Sequence, residues 1–270
     1  MLRDTIPPFT MLFWRWVIAL VLLLPFVLRI MARERHLYQR HVWRLLGVSL
    51  TGIVAFNSFV YFGLQRTAAS NAMLLNSLIP ILIMLIAACG FGMRLRWVQA
   101  VGVLVSFCGV LFIITKGAPA QILTLSFSGG DLIVFCGMVS FAFYTLWLKG
   151  FPAEMNRTAL LACQIAVGLV ILTPIYFWEQ AAGPAPQWSA WSCGWLAFLG
   201  VFPSVLAYLF FNLGVARVGA ARAGLAIHLI PVFGVVLAVL FLGERVHLYQ
   251  AVGIGLIAAG IFVATRRARA

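Results

Sequence analysis

Charge is what this sequence has least of. Lys, Arg, Asp and Glu together make up 9% of its 270 residues, where soluble domains carry about a quarter. Acidic charge is scarcer still: Asp4, Glu34, Asp131, Glu154, Glu179 and Glu244 are the only carboxylates, and all fall in connections or at the ends of apolar runs. With none of them midway along a run, a proton relay through buried carboxylates is not expected. The sequence also lacks a Ser or Cys nucleophile motif, an HExxH pair and a Walker A loop, so neither an embedded protease nor an ATP-driven pump is supported, and no enzymatic activity, cofactor or metal is expected. Cys89, Cys108, Cys136, Cys163 and Cys193 follow neither metal-ligand nor redox spacing and read as small apolar packing residues. Connections are too short to hold a soluble domain, so no separate catalytic or nucleic-acid-binding module is expected.

What the sequence does contain is hydrocarbon. Of its residues 64% are apolar, arranged in runs of about 20, the length a helix needs to cross a bilayer. Only helices or closed barrels satisfy their own backbone in lipid. The runs predict an all-α membrane protein with spans near residues 9–31, 45–64, 68–90, 98–115, 131–148, 158–178, 192–215, 220–242 and 249–265. The lipid bilayer is therefore its first partner.

The net charge of +13 could suggest an acidic partner, so placement decides. One side receives Arg29, Arg33, Arg35, Arg40, Arg44, Arg94, Arg96, Lys149, Arg157, Arg217, Arg222, Arg266, Arg267 and Arg269. The other receives Arg3, Arg66, Lys116 and Arg245, with Arg15 inside the first span. The bias puts the C-terminus in the cytoplasm of a multi-pass inner or plasma membrane protein. Nine spans then place Met1 outside, where the opening residues read as a loop between helices rather than a signal region. The expectation is that a first helix is missing. Asn156-Arg157-Thr158 fits a glycosylation pattern but lies on the cytoplasmic side by this reading, and is discounted.

Displaced by 151 positions, residues 68–114 align with 219–265 without a gap, and 14 of the 47 positions are identical. The matches include Leu78-Ile79-Pro80 with Leu229-Ile230-Pro231, Gly92 with Gly243, Gln99 through Gly102 with Gln250 through Gly253, and Gly109 with Gly260. A five-helix period inverts corresponding helices, the architecture of many secondary transporters. The fifth span, from Asp131, lacks a counterpart in the first copy.

Pro80 and Pro231 midway along their spans, Leu242-Gly243-Glu244-Arg245 before Gln250 and Gly253, and Gly130-Asp131-Leu132 opening a span that ends near Lys149 resemble the EamA-type branch of the drug/metabolite transporter superfamily. The resemblance covers essentially the whole chain. It implies two five-helix repeats, here 1–116 without its first helix and 128–266, and transport of small metabolites or drugs, often outward. Met93 stands where the second copy has Glu244. A non-transporting or truncated membrane protein, and a lipid or lipid-linked sugar flippase, are the alternatives.

Polar residues deep in spans are the candidate substrate contacts. Asn57 and Tyr61 share one helix face, as do Tyr208 and Asn212, and the two pairs nearly correspond across the repeat. Cavity lining and interhelical hydrogen bonding are both open readings at this point. Asn76, Ser77 and His228 precede the two prolines, which either bend their helices or break them beside a site; His228 is the only deep histidine. Tyr144 and Gln164 are further candidates. Arg15, between Trp14 and Trp16, snorkels outward or offers a cation to an anion. Asp131 reads as a helix cap. Gly102, Gly109, Gly253 and Gly260, at seven-residue spacing, suit close helix packing within the chain or in a homodimer.

Overall fold

The computed structural model describes residues 6–93, 96–118, 128–183, 185–243 and 245–265. Met1, Arg3, Asp4, Arg94, Glu244, Arg266, Arg267 and Arg269 lie outside the described residues. Among the described residues, nine helices are long and apolar enough to cross a membrane: α1 (Pro8–Arg33), α2 (Val42–Leu64), α3 (Ala69–Phe91), α4 (Trp97–Ile114), α5 (Gly129–Lys149), α6 (Arg157–Ala182), α7 (Ala190–Val218), α8 (Ala220–Phe241) and α9 (Leu248–Thr265). The protein is a multi-pass helical bundle, and its spans match the apolar runs.

Helix ends follow local chemistry. The Asn156 side chain accepts from the backbone N–H groups of Thr158 and Ala159, both at 3.0 Å, and so starts α6. Ser128 and Asp131 form a reciprocal capping box at α5, and Asp131 also accepts from the Thr67 hydroxyl at 2.5 Å, which ties the start of α5 to the end of α2. At α1 the cap comes from another span. The Glu179 carboxylate of α6 accepts from the N–H groups of Phe9 (3.1 Å) and Thr10 (2.6 Å) and from the Thr10 hydroxyl, a placement that also suits the positive end of the α1 dipole. Gly92 and Gly243 close α3 and α8 in the left-handed region, at φ 60° and 66°, where a Cβ would be strained.

Two spans are internally irregular in the same place. In α2 the segment Ser49–Ala55 widens to a π-helix, and in α7 so does Gly200–Ala207; these segments begin 151 residues apart. α3 is interrupted between Asn76 and Ile79, and α8 passes through a 3-10 turn at Ala226–Leu229, each just before its proline. Pro80 and Pro231 therefore mark breaks, since proline cannot donate to the preceding turn.

α5 is the most enclosed span, with 61% of its central window buried against 22% for α8 and α9. It packs along α2 and α3, while α1 packs along α6 and against the π segment of α7. The main apolar core joins α1, α2, α3, α5, α6, α7 and the start of α8. A smaller cluster of Met84, Val103, Leu225 and Ala264 joins α3, α4, α8 and α9. α4 and α9 meet through their glycines: a Cβ on Gly109 would sit 2.7 Å from the Gly253 carbonyl, and one on Gly102 2.6 Å from that of Gly260. These glycines are thus consumed by packing within the chain.

Candidate functional site

The deep polar residues gather in two places. The first is a centre between α1, α2, α5, α6 and α7. Pro203 has no N–H, which leaves the Leu199 carbonyl without its usual donor. The Ser204 hydroxyl supplies one at 2.7 Å, and Ser204 Oγ in turn accepts from Arg15 Nε at 2.9 Å. Arg15 also donates to the Tyr61 hydroxyl and lies over the Trp16 ring, 4.8 Å from its centroid. In α2, the widened turn exposes the Gly52 carbonyl, which accepts from Asn57 Nδ2 (2.9 Å) and the Tyr208 hydroxyl (2.7 Å). Asn57 Nδ2 is also 3.0 Å from the Tyr208 oxygen. The Tyr144 ring, packed against Gly52, points its hydroxyl to Asn212 Oδ1 at 2.5 Å, with Gln164 Oε1 at 3.5 Å.

The second place is the break between α3 and α8. His228 is fully buried. Its Nε2 lies 2.9 Å from the Ser77 carbonyl, which can only accept, so Nε2 carries the hydrogen. Nδ1 then accepts from the Ser106 hydroxyl at 2.7 Å. Beside this contact a cavity of about 370 Å³ is lined by Asn76, Ser77, Ile227, Pro231, Val110 and Gln250, among other largely apolar side chains of α3, α4, α8 and α9. A second cavity of about 160 Å³, bounded by Ile6, Pro8, Met11, Leu64 and Gln65, reaches Tyr61 and so approaches Arg15 through its hydrogen-bond partner.

Glu34 supports a helix end instead. Glu34 accepts from the Tyr38 hydroxyl at 2.9 Å and from Asn156 N–H at 3.3 Å, joining the α1–α2 connection to the start of α6. Burial, with Cys163 and Glu34 alongside, pushes the Tyr38 phenol above its ordinary range. Among the described residues no group of three His, Cys, Asp or Glu side chains could hold a metal ion.

The description of the EamA-like transporter family fits residues 1–115 and again residues 128–266. The chain belongs to the EamA-like transporter family. An uncharacterized transporter, YyaM, of Bacillus subtilis (strain 168) is 27% identical to this family member over 252 residues, 93% of the chain and 82% of the relative. A probable terminal-alkyne amino-acid exporter of Streptantibioticus cattleyicolor is 27% identical over 217 residues, 80% of the chain and 71% of the relative. A solved crystal structure superposes with a TM-score of 0.78 at 20% identity, covering 97% of this chain and 88% of that one. That likeness concerns the fold.

In this EamA-family chain, Arg15, Asn57, Tyr61, Tyr144, Gln164, Tyr208 and Asn212 converge on the first centre. Asn76, Ser77 and Pro231 line the larger cavity, and His228 bonds the Ser77 carbonyl beside it; Pro80 is buried and is not among its lining residues. Asn57 and Tyr208 bond each other, so at that pair interhelical bonding is realised. Sequence reasoning missed Ser106, Ser204, Trp16 and Gln250. Ser106 and Ser204 are lone hydroxyls in apolar runs, and Ser204 follows a proline, which was the available signal.

Proposed function

We propose that the chain exports small metabolites across the inner or plasma membrane by alternating access between two inverted repeats, 1–116 and 128–266. One observation carries this reading. Residues 151 apart bond to each other: Asn57 to Tyr208 and His228 to the Ser77 carbonyl. A residue touches its own counterpart where a two-fold axis relating two copies passes, so these contacts support such an axis inside the bundle. In inverted repeats that axis lies in the membrane plane, where carriers of this architecture place their substrate. The crossed pairing of Gly102 with Gly260 and Gly109 with Gly253 fits the same axis, because 102 corresponds to 253 and 109 to 260. The 370 Å³ cavity between α3, α4, α8 and α9 joins elements of both halves, and the name of the Streptantibioticus relative supports the outward direction.

The largely apolar lining also suits an amphipathic lipid or lipid-linked sugar, which makes a flippase the second reading. Cells expressing the chain, its Asn76→Ala variant or an empty vector, at matched membrane levels, separate these outcomes. Export predicts soluble compounds released by the wild type and weakly by the variant. Headgroup movement between leaflets without such release would favour the flippase, and neither activity would sink both.

A further inference from the structure

The polar centre is rich in donors that lack acceptors. Trp16 Nε1, Gln164 Nε2 and Asn212 Nδ2 are buried without a hydrogen-bond partner, and all three residues are fully enclosed. They belong to one assembly. The Trp16 ring meets Tyr208 edge-on at 5.1 Å, Tyr208 lies 5.9 Å from Tyr144, and the single Tyr144 oxygen serves both amides. Beside them stands Arg15, a cation 5% exposed. Its partners are Ser204, Tyr61 and the Trp16 and Tyr61 rings, every one of them neutral. The described carboxylates lie elsewhere, with Glu34, Asp131 and Glu179 engaged at helix ends.

A buried charge without a counter-ion is costly in hydrocarbon, and so is each orphaned N–H group. Three orphaned donors and a guanidinium without a counter-ion among the described residues are joined by one chain of contacts, and their common complement is a group that carries negative charge and only accepts. We propose that this centre is an oxyanion subsite, where Arg15 with the N–H groups of Trp16, Gln164 and Asn212 binds the carboxylate or phosphate of the transported metabolite. The assignment rests on the transport reading for the source of the anion, and it deepens that reading by naming the substrate class. A guanidinium suits either oxyanion, because its fork of donors matches two oxygens at once. The 160 Å³ cavity at the Pro8 end of α1 is lined by Tyr61, which accepts from Arg15.

The test titrates the full chain in nanodiscs of uncharged phosphatidylcholine, read by tryptophan fluorescence, with N-acetyl-leucine, its uncharged amide and inorganic phosphate. Saturable binding of N-acetyl-leucine or phosphate, at least about tenfold tighter than the amide, is the expected result; which anion saturates identifies the source. Arg15→Gln should weaken the anion about tenfold or more and leave the amide unchanged, while Arg15→Lys restores part of the affinity. Equal affinity for the acid and its amide, or no response to either anion, would overturn the subsite, and this ligand comparison does not depend on any variant folding. Efflux from vesicles loaded with a cell extract tests transport separately. Release of neutral or cationic compounds alone would retain the transporter and remove the anion, whereas anion binding without any efflux would do the reverse.

Discussion

Individual buried side chains here are held by hydrogen bonds whose partners sit on other spans. His228 joins α8 to the Ser77 carbonyl of α3 and to Ser106 of α4. His228→Ala removes both bonds and leaves a buried carbonyl and hydroxyl unpaired, which should cost about 1–3 kcal/mol. A clear fall in the thermal midpoint of the detergent-solubilised protein is expected; an unchanged melt would mean that His228 supports nothing in the fold. Asp131 makes a contrasting case, since its carboxylate is spent on Ser128 and Thr67 at the helix start. Asp131→Asn keeps an acceptor but weakens the box, for an expected loss of about 0.5–2 kcal/mol. Flux should survive. Proton-driven uptake that vanished in this variant, with folding intact, would contradict carboxylate-independent transport. Both positions were legible in the sequence as types, a lone deep histidine and an acidic helix start. Their partners were not, because Ser106 and the Ser77 carbonyl carry no local pattern that links them across 122 and 151 residues.

At the scale of elements, spacing and breaks decide which spans can approach. The seven-residue glycine pattern was readable and indicated a close helix pair, yet it could not say whether the second helix was α9 or another protomer. Backbone proximity answers this. On Gly253 a Cβ would sit 2.8 Å from the Gly109 carbonyl, whereas on Gly255, two residues along the same helix, it would meet nothing within 4 Å. Gly253→Leu should therefore force α4 and α9 apart, at a cost of about 1–3 kcal/mol or more, and Gly255→Leu should be near neutral. Yield of monodisperse protein and its melting temperature check the pair; equal effects would show that the α4–α9 contact is not what the glycines maintain. The π segments were invisible beforehand. Ser49–Ala55 and Gly200–Ala207 read like the rest of their spans; in the fold Gly52 packs against the Tyr144 ring in the first, and Pro203 lies inside the second.

For the whole molecule, the apolar pattern was enough to find the nine spans of the described residues, because apolar runs of about 20 residues have the length at which a helix crosses lipid with its backbone satisfied. The deep centre was partly legible, since a costly polar group in hydrocarbon needs a reason to persist. Which of those groups bond to one another depends on how α1, α2, α5, α6 and α7 pack, and no single span encodes that. Orientation has a different origin. Lys and Arg resist translocation near span ends, so fourteen basic residues on one side and four on the other predict that the end of α9 and the α3–α4 connection face the cytoplasm. The α8–α9 connection, carrying Arg245, should face outward. A reporter that fluoresces only in the cytoplasm should be bright when fused after Ala270, and alkaline phosphatase should be active when inserted in the α8–α9 connection. The opposite result would invert the whole chain, since nine spans fix every other connection once one is placed. It would also turn the Pro8 end of α1, and with it the cavity at Tyr61, from the expected outer face to the cytoplasm.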